Sequence, residues 1–291
     1  MPDNDLPLIV IAGPTASGKT ALAIELAEKY NGEIICADSR TVYKYMDIGT
    51  AKPNAGERAR VPHWGLDLVE PGERFTAADF KNYAEQKIAE IRARRRVPFL
   101  VGGTGLYVDA VIFNFQFGNQ ADDELRSQLA GWPIEKLQDY CNKNNIKLPE
   151  NSRNKRYLIR AIERQSVSKN SDRSLIDNCI IVGISTNRDV LRTRIDVRSE
   201  QLFANGVVEE AILLGKKYGW TSEAMTGNIY KLVKAYLDNE IDYHQLKTKF
   251  ATSDRRLAKR QVTWLKRNPH IMWLDLDEAQ TYLSNALAKL N

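Results

Sequence analysis

The chain has 291 residues, 43% of them hydrophobic and 27% charged, and a net charge of +5, an ordinary globular composition that does not by itself indicate nucleic acid binding. No apolar run is long enough to cross a membrane, the first residues lack the basic start of a signal peptide, and the three scattered cysteines show no metal-ligand spacing. These features argue against a membrane protein and a disulfide-rich scaffold, and we expect a protein of the reducing cytoplasm.

The first predicted unit is a strand over residues 8–11, a glycine loop and a helix from residue 21. The loop reads Gly13-Pro14-Thr15-Ala16-Ser17-Gly18-Lys19-Thr20, which is a P-loop in its required setting. Its glycines let backbone N–H groups face an anion, and the helix start adds further N–H groups. Lys19 can reach terminal phosphate oxygens, and the Thr20 hydroxyl can ligate magnesium. The motif predicts binding of a diphosphate or triphosphate; the alternative is a chance glycine turn before a helix.

A second strand, over residues 33–37, ends in Asp38. Because ligands bind beyond the carboxyl ends of strands in open α/β sheets, we predict that this carboxylate faces the phosphate pocket, as a general base or a magnesium partner. The alternative is a surface turn or helix cap. Ser39 and Thr41 offer hydroxyls that can orient an acceptor, whereas Arg40 either contacts phosphate or lies at the surface.

The chain then alternates between helices and strands as far as residue 114. Residues 41–62 are loop-rich, a short strand is predicted over 65–69, and a helix capped by Thr76 should run to about residue 94. A buried strand over 97–101 leads into Gly102-Gly103-Thr104-Gly105 and another helix. This turn lets the backbone approach a ligand and presents the Thr104 hydroxyl, although Thr104 can also be an ordinary N-cap.

Between residues 115 and 178 strand patterns disappear and helical segments dominate, which indicates a helical insertion. The sheet pattern resumes over 179–184, followed by helices over 188–218 and 229–267 and a strand over 271–274. We therefore predict an α/β fold with a parallel sheet flanked by helices, formed by residues 1–114 and 179–291, and an all-helical insertion over 115–178.

Three groups of cations stand out. Arg92 and its neighbours, Arg94–Arg96, end a helix, where cations complement the helix dipole. One or two of a second group, Arg188, Arg192, Arg194 and Arg198, are candidates to clamp a diphosphate. The cations of the third group, Arg256, Lys259 and Arg260, share one side of a helix with Thr263. This arrangement favours contact with a phosphate backbone over a merely solvated face.

Four segments together resemble the tRNA dimethylallyltransferase family. They are the P-loop, the run from Asp38 to Pro53, Gly102-Gly103-Thr104-Gly105-Leu106-Tyr107, and Ala258-Lys259-Arg260-Gln261-Val262-Thr263-Trp264. The segments occur in family order over nearly the whole chain, and the run from Asp38 to Pro53 is the most specific.

The resemblance implies transfer of a dimethylallyl group from dimethylallyl diphosphate to the exocyclic amino nitrogen of the adenosine 3′ of the tRNA anticodon. The diphosphate would occupy the P-loop, and Mg²⁺ on Thr20, with Lys19 and Arg198, would stabilise it as it leaves. Asp38 would take the amino proton, and Thr104 would hold the acceptor or donor. We expect a monomer whose helical insertion and basic helix bind the anticodon stem-loop. The implied tRNA contacts are Asp38, Ser39, Arg40, Thr41, Thr104, Arg126, Arg156, Arg256, Lys259, Arg260 and Gln261.

The chain departs from the family pattern mainly at predicted RNA contacts. Thr41 stands where the family usually has Gln, and Lys44-Tyr45 where Arg-Gly is common. The insertion has Arg153-Asn154-Lys155-Arg156 in place of Asn-Asp-Pro-x-Arg, and residues 223–231 depart from Ile-Gly-Tyr-Lys-Glu. The departures leave transfer to tRNA in place and concern the choice of tRNA.

Three other functions stay open. A P-loop small-molecule kinase would use Asp38 to activate a hydroxyl. In ATP motors an acid that holds magnesium normally ends a later core strand, and here only the strand leading to Asp38 ends in such an acid. A non-catalytic RNA-binding module would not need Lys19, Thr20 and Asp38. An adenylate isopentenyltransferase would use a free nucleotide and would not need the helical insertion or the basic helix.

Overall fold

The computed structural model describes residues 6–117, 123–163 and 174–290. The chain divides into two compact units, Met1–Asn114 with Leu175–Asn291, and Phe115–Ser174. The boundary predicted at 178 lies four residues beyond the end of the second unit.

The first unit is built on a six-stranded sheet in the order β3-β2-β4-β1-β5-β6, and every strand pair is parallel. The strands are β1 Leu8–Ala12, β2 Gly32–Cys36, β3 His63–Trp64, β4 Val97–Gly102, β5 Cys179–Ile184 and β6 Met272–Leu274. β1, β2 and β4 are buried along their whole length, as their near-continuous apolar runs require in a sheet covered by helices on both faces. The predicted α/β fold is confirmed.

Nine α-helices of the first unit lie in its described residues. They are α1 Lys19–Lys29, α2 Ala55–Arg60, α3 Ala77–Ala93, α4 Gly105–Ile112, α8 Arg188–Ala204, α9 Val207–Tyr218, α10 Asn228–Leu237, α11 Tyr243–Leu265 and α12 Leu276–Leu287. The second unit contributes α5 Asp123–Ala130, α6 Ile134–Lys143 and α7 Lys155–Glu163, which pack around Leu129, Leu137, Cys141, Leu158 and Ile162. Within the three described ranges, no helix is both long and apolar enough to span a membrane.

The local predictions hold where side chains fix the helix ends. Thr76 caps α3 in a reciprocal capping box with Asp79, as its sequence predicts. The strand predicted over 65–69 is wrong, because Gly65 and Asp67 have φ angles of +81° and +55°, which a strand cannot accommodate. The short strand β3 therefore ends at Trp64, and a single bridge joins Val69 to the loop after β2.

Candidate active site

The carboxyl ends of the central strands open into a pocket of about 310 Å³. Ala12 at the end of β1 lies opposite Gly102 at the end of β4, so the loops that follow these strands are neighbours. β2 and β4 lie on one side of β1, and β5 lies on the other, which makes this edge the topological switch point where α/β sheets bind ligands. Residues of α8, α10 and α11 complete the pocket wall.

The P-loop presents groups that suit a phosphate. Gly18 has a φ of +90°, which glycine adopts readily, and α1 begins at the next residue. No side chain caps the start of α1, so its first N–H groups are available to an anion. Ser17 is fully buried, and its Oγ has no hydrogen-bond partner among the described residues. A buried polar atom without a partner next to an uncapped helix start fits a bound phosphate.

Lys19 is a cation of the P-loop that lines this pocket. Its Nζ donates a 3.1 Å hydrogen bond to the carbonyl oxygen of Pro14. Burial, followed by repulsion from Arg198, lowers the pKa of Lys19 to about 8, while the nearby Asp38 acts in the opposite direction. A bound diphosphate would favour the charged form of Lys19 and relieve its repulsion with Arg198.

Helix α8 brings two of the four predicted clamp candidates to the P-loop. Arg198 donates to the Thr15 hydroxyl, and its buried Nε has no hydrogen-bond partner in the described part of the chain. Arg194 donates a 3.3 Å hydrogen bond to the carbonyl oxygen of Ser17. The other two candidates, Arg188 and Arg192, are exposed and do not line the pocket. A ligand phosphate can accept a hydrogen bond from this Nε of Arg198.

Asp38 lines the same pocket as the P-loop cations. Its Oδ1 accepts a 2.8 Å hydrogen bond from the backbone N–H of Arg40, which holds the carboxylate in place, whereas Oδ2 has no protein partner among the described residues. The carboxylate is half-buried and therefore stays accessible to a ligand. This geometry suits a base that accepts a proton on Oδ2.

The turn after β4 is joined to the end of β2. Thr104 makes no side-chain cap to α4, and its Oγ1 instead accepts a 3.0 Å hydrogen bond from the N–H of Ser39. Thr41 is buried and donates to the carbonyl oxygen of Asp38 at 3.3 Å. Arg40 donates to the carbonyl oxygen of Glu223 at 3.0 Å and to other groups of residues 224–226, and this use of its donors argues against the predicted RNA contact.

Helix α11 packs its inner side directly on the two glycine loops. Gln261 Oε1 accepts a 2.8 Å hydrogen bond from the N–H of Thr15 in the P-loop. A Cβ on Gly103 would lie 2.4 Å from Gln261 Nε2, and a Cβ on Gly105 would lie 2.1 Å from Trp264 Cδ1. These contacts explain the glycines of the turn and give Gln261, predicted to bind tRNA, a role in holding the P-loop.

Helix α11 also carries the predicted basic face, and one of its cations, Arg260, lines the pocket as well. Arg256, Lys259 and Arg260 are exposed, and none of them forms an ion pair within the described residues. The neighbouring Arg255 differs, because its guanidinium pairs with Asp196 of α8. Three uncompensated cations on one helix face form a surface that suits a phosphate backbone.

The sequence-based prediction missed Asp254, a second carboxylate in the pocket. Asp254 is only 6% exposed, and it lies on the inner side of α11 with Phe250, Leu257 and Gln261. Burial raises its pKa, against the opposing charge of Arg198 and a hydrogen bond from Asn228. The 4-3-4 spacing of these four residues was the available signal, because it places them on one helix face.

In the second unit, the structure separates the two predicted tRNA contacts. Arg126 forms a two-point ion pair with Glu163, with distances of 2.6 and 2.7 Å, so its donors already have an internal partner. Arg156 is exposed and makes no side-chain ion pair within residues 123–163. Asn154 Oδ1 accepts a 3.1 Å hydrogen bond from the N–H of Arg156, which suits the start of α7. The RNA contact of Arg156 stays a prediction, and that of Arg126 is weakened.

The pocket has few protein ligands for a metal ion. In the described ranges no three His, Cys, Asp or Glu side chains cluster as a metal site would require. Thr20 and Asp38 line the pocket and offer it a hydroxyl and a carboxylate oxygen. Magnesium commonly binds through one or two protein oxygens together with substrate phosphates, so this donor set fits a diphosphate-bound Mg²⁺.

Known proteins of one family match this chain over most of its length. A family model described as IPP transferase matches residues 41–268. The tRNA dimethylallyltransferase of Staphylococcus saprophyticus is 36% identical over 295 residues, which cover 95% of this chain and 94% of that protein. The tRNA dimethylallyltransferase of Acetivibrio thermocellus is 38% identical over 289 residues, which cover 93% and 92% of the two chains.

Solved structures of transferases with similar names superpose on this chain. The tRNA isopentenylpyrophosphate transferase of Bacillus halodurans superposes with a TM-score of 0.75 at 35% identity, covering 97% of both chains. A eukaryotic dimethylallyltransferase crystallised acting on tRNA gives a TM-score of 0.79 at 24% identity, covering 92% of this chain and 73% of that one, and this likeness supports the fold.

Proposed function

The chain belongs to the IPP transferase family and acts on tRNA as a prenyltransferase, and we propose that it transfers the dimethylallyl group of dimethylallyl diphosphate to the exocyclic amino nitrogen of the adenosine 3′ of the anticodon. One observation supports this reaction above the others. A carboxylate with one oxygen that has no partner among the described residues lies in the same pocket as the P-loop, together with the cations Lys19 and Arg198. This arrangement suits removal of a proton from an acceptor while a diphosphate departs.

The chemistry follows from where these groups lie. The adenine amino nitrogen attacks the allylic carbon, the bond from that carbon to the diphosphate oxygen breaks, and the nitrogen loses one proton. Asp38 accepts this proton on its Oδ2, and Thr104 orients the acceptor. Lys19, Arg198 and the N–H groups at the start of α1 stabilise the charge that develops on the diphosphate. Magnesium held by Thr20 and the diphosphate would neutralise further charge on the leaving group.

The proposed tRNA contacts of the first unit come from α11. We propose that Arg256, Lys259 and Arg260 bind the phosphate backbone, because they are exposed and have no ion-pair partner among the described residues. Gln261 acts indirectly by holding Thr15 of the P-loop. The target adenine has to leave its stack to enter the pocket, as in other enzymes that modify a base. One chain carries every group that this scheme uses, so we expect a monomer to be active.

The experiment measures diphosphate release with each donor and acceptor. Purified protein with Mg²⁺ is given dimethylallyl diphosphate and unmodified tRNA, the same donor and AMP, or ATP and tRNA. We expect diphosphate release only with the allylic donor and tRNA. Release with AMP would indicate an adenylate isopentenyltransferase. A kinase would form ADP from ATP rather than release diphosphate, so ADP formation, measured with and without tRNA, would indicate a kinase. Binding of tRNA without turnover of any donor would indicate a non-catalytic module.

A further inference from the structure

A loop at the mouth of the pocket is held by a carboxylate that the reaction itself does not use. This segment, residues 46–53, is called the rim loop, and Gly49, Thr50, Ala51 and Pro53 within it line the pocket. The rim loop contains no strand or α-helix. Two internal hydrogen bonds close its turn, from the N–H of Ala51 to the carbonyl oxygen of Ile48 and from the N–H of Lys52 to that of Asp47. Hydrogen bonds to other parts of the chain hold this turn in place.

Glu210 of α9 supplies those hydrogen bonds. Its Oε2 accepts from the N–H groups of Asp47 and Ile48 at 2.8 and 2.7 Å, and its Oε1 accepts from the N–H of Gly49 at 2.9 Å. Tyr230 donates a fourth hydrogen bond to Oε1 at 2.9 Å. Glu210 forms no ion pair with a cation in the described part of the chain. The charge of this carboxylate is balanced by three consecutive backbone dipoles and one hydroxyl.

Tyr230 connects this anchor to the pocket. It is 1% exposed and lines the pocket from α10. A Cβ on Gly49 would lie 2.6 Å from the Tyr230 hydroxyl oxygen, so the rim loop packs against that hydroxyl with no room for a side chain. A shift of the loop away from Glu210 would therefore move the pocket wall at Gly49.

Lys52 holds the other end of the rim loop and also ties it to Asp47, whose N–H donates to Glu210. Its ammonium donates to the carbonyl oxygen of Tyr43 at 2.6 Å and to the carboxylates of Asp47 and Asp67 at 2.8 and 2.6 Å. Lys52 is the only cation in the rim loop, and its side chain is 1% exposed. Because the rim loop has no free cation for a diphosphate, its pocket face suits the uncharged acceptor rather than the donor.

We infer that Glu210 is a positioning residue that fixes the rim loop in the shape needed to receive the acceptor nucleobase. The inference rests on the proposed function in that the acceptor is a base of tRNA. Replacing the carboxylate by an amide leaves an NH₂ group facing backbone N–H donors, so at least one of the three backbone hydrogen bonds is lost. The hydrogen-bond partners of Glu210 in the described residues include none of the P-loop, so donor binding should be unaffected.

The test compares Glu210→Gln with Glu209→Gln, a matched variant of the exposed neighbouring residue. KM for tRNA and for dimethylallyl diphosphate are measured separately, together with hydrogen exchange of the amides of residues 47–49. For Glu210→Gln we expect KM for tRNA to rise about tenfold or more, the size of one lost charge-assisted hydrogen bond, with KM for the donor unchanged. We also expect faster exchange of the three amides, and wild-type behaviour of Glu209→Gln.

Two further variants make the outcome decisive. Glu210→Asp, whose shorter carboxylate can still accept backbone hydrogen bonds, should recover part of the tRNA KM, and Tyr230→Phe should leave the three amides protected. Faster exchange with an unchanged KM for tRNA, or an equal rise in both KM values, would overturn the inference. If the wild-type enzyme transferred no dimethylallyl group to tRNA, the proposed function would fail, whereas the exchange data would still report whether Glu210 holds the loop.

Discussion

Neutralising the basic face of α11 gives a quantitative test of where tRNA binds. The triple variant Arg256→Gln, Lys259→Gln, Arg260→Gln removes three exposed charges that have no ion-pair partner in the described residues, so the fold should persist. Each lost phosphate contact lowers the slope of log K against log salt concentration by about 0.7 to 0.9. The triple variant should therefore show a slope shallower by about 2 to 2.7.

This change in slope is large enough for an ordinary binding titration. Between 50 and 200 mM salt, the wild-type protein should lose about 20- to 40-fold more tRNA affinity than the triple variant loses, as the slope difference implies. Fluorescence anisotropy with a labelled anticodon stem-loop measures both slopes. Lys29→Gln with Lys289→Gln, two exposed cations elsewhere on the unit, is the control and should leave the slope unchanged. An unchanged slope in the triple variant would refute the assignment of this face to RNA.

Three further predictions concern the pocket. Asp38→Asn should lower kcat by about 10²- to 10⁴-fold, the range for loss of a general base, while filter binding shows tRNA affinity kept; an unchanged kcat would contradict its role. The pKa of Lys19 is lowered to about 8, so Lys19 loses its charge above that pH, and calorimetry should show diphosphate affinity falling between pH 7 and 9. Lys19→Arg should flatten this dependence. An equal decline in that variant would contradict the titration of Lys19 as the cause. Burial raises the folded-state pKa of Asp254, so its charged form destabilises the fold as pH rises above the unfolded pKa. Asp254→Asn should therefore have a higher Tm than wild type at pH 7, and this difference should be smaller at pH 4. A lower Tm at pH 7 would mean that Arg198 outweighs burial.

The sequence predicted five of the six strands, the P-loop and the carboxylate after β2, because each depends on residues adjacent in the chain. Local chemistry was also sufficient for two helices that the prediction omitted. Asn54 with Glu57 and Asp275 with Glu278 form capping boxes at the starts of α2 and α12, and both pairs have the spacing of that motif. The strand error over 65–69 arose because an apolar pattern does not reveal the positive φ of Asp67.

The remaining features depend on tertiary contacts that no local pattern encodes. Gln261 belongs to a basic segment, yet it turns toward Thr15, 246 residues away in the chain. Glu210 holds a loop more than 160 residues distant through that loop's backbone, whose N–H groups carry no sequence signal. Arg126 was predicted to contact RNA, but in the fold it forms an ion pair with Glu163. Proximity created by folding decides the role of each of these residues.

The most direct test of the central claim is nucleoside mass analysis of tRNA after incubation with the protein, Mg²⁺ and isotope-labelled dimethylallyl diphosphate. Two tRNAs are compared, one with adenosine and one with guanosine 3′ of the anticodon. We expect labelled dimethylallyl-adenosine from the first tRNA and no labelled nucleoside from the second. Label on both tRNAs, or on neither while wild-type protein binds both, would contradict transfer to that adenosine.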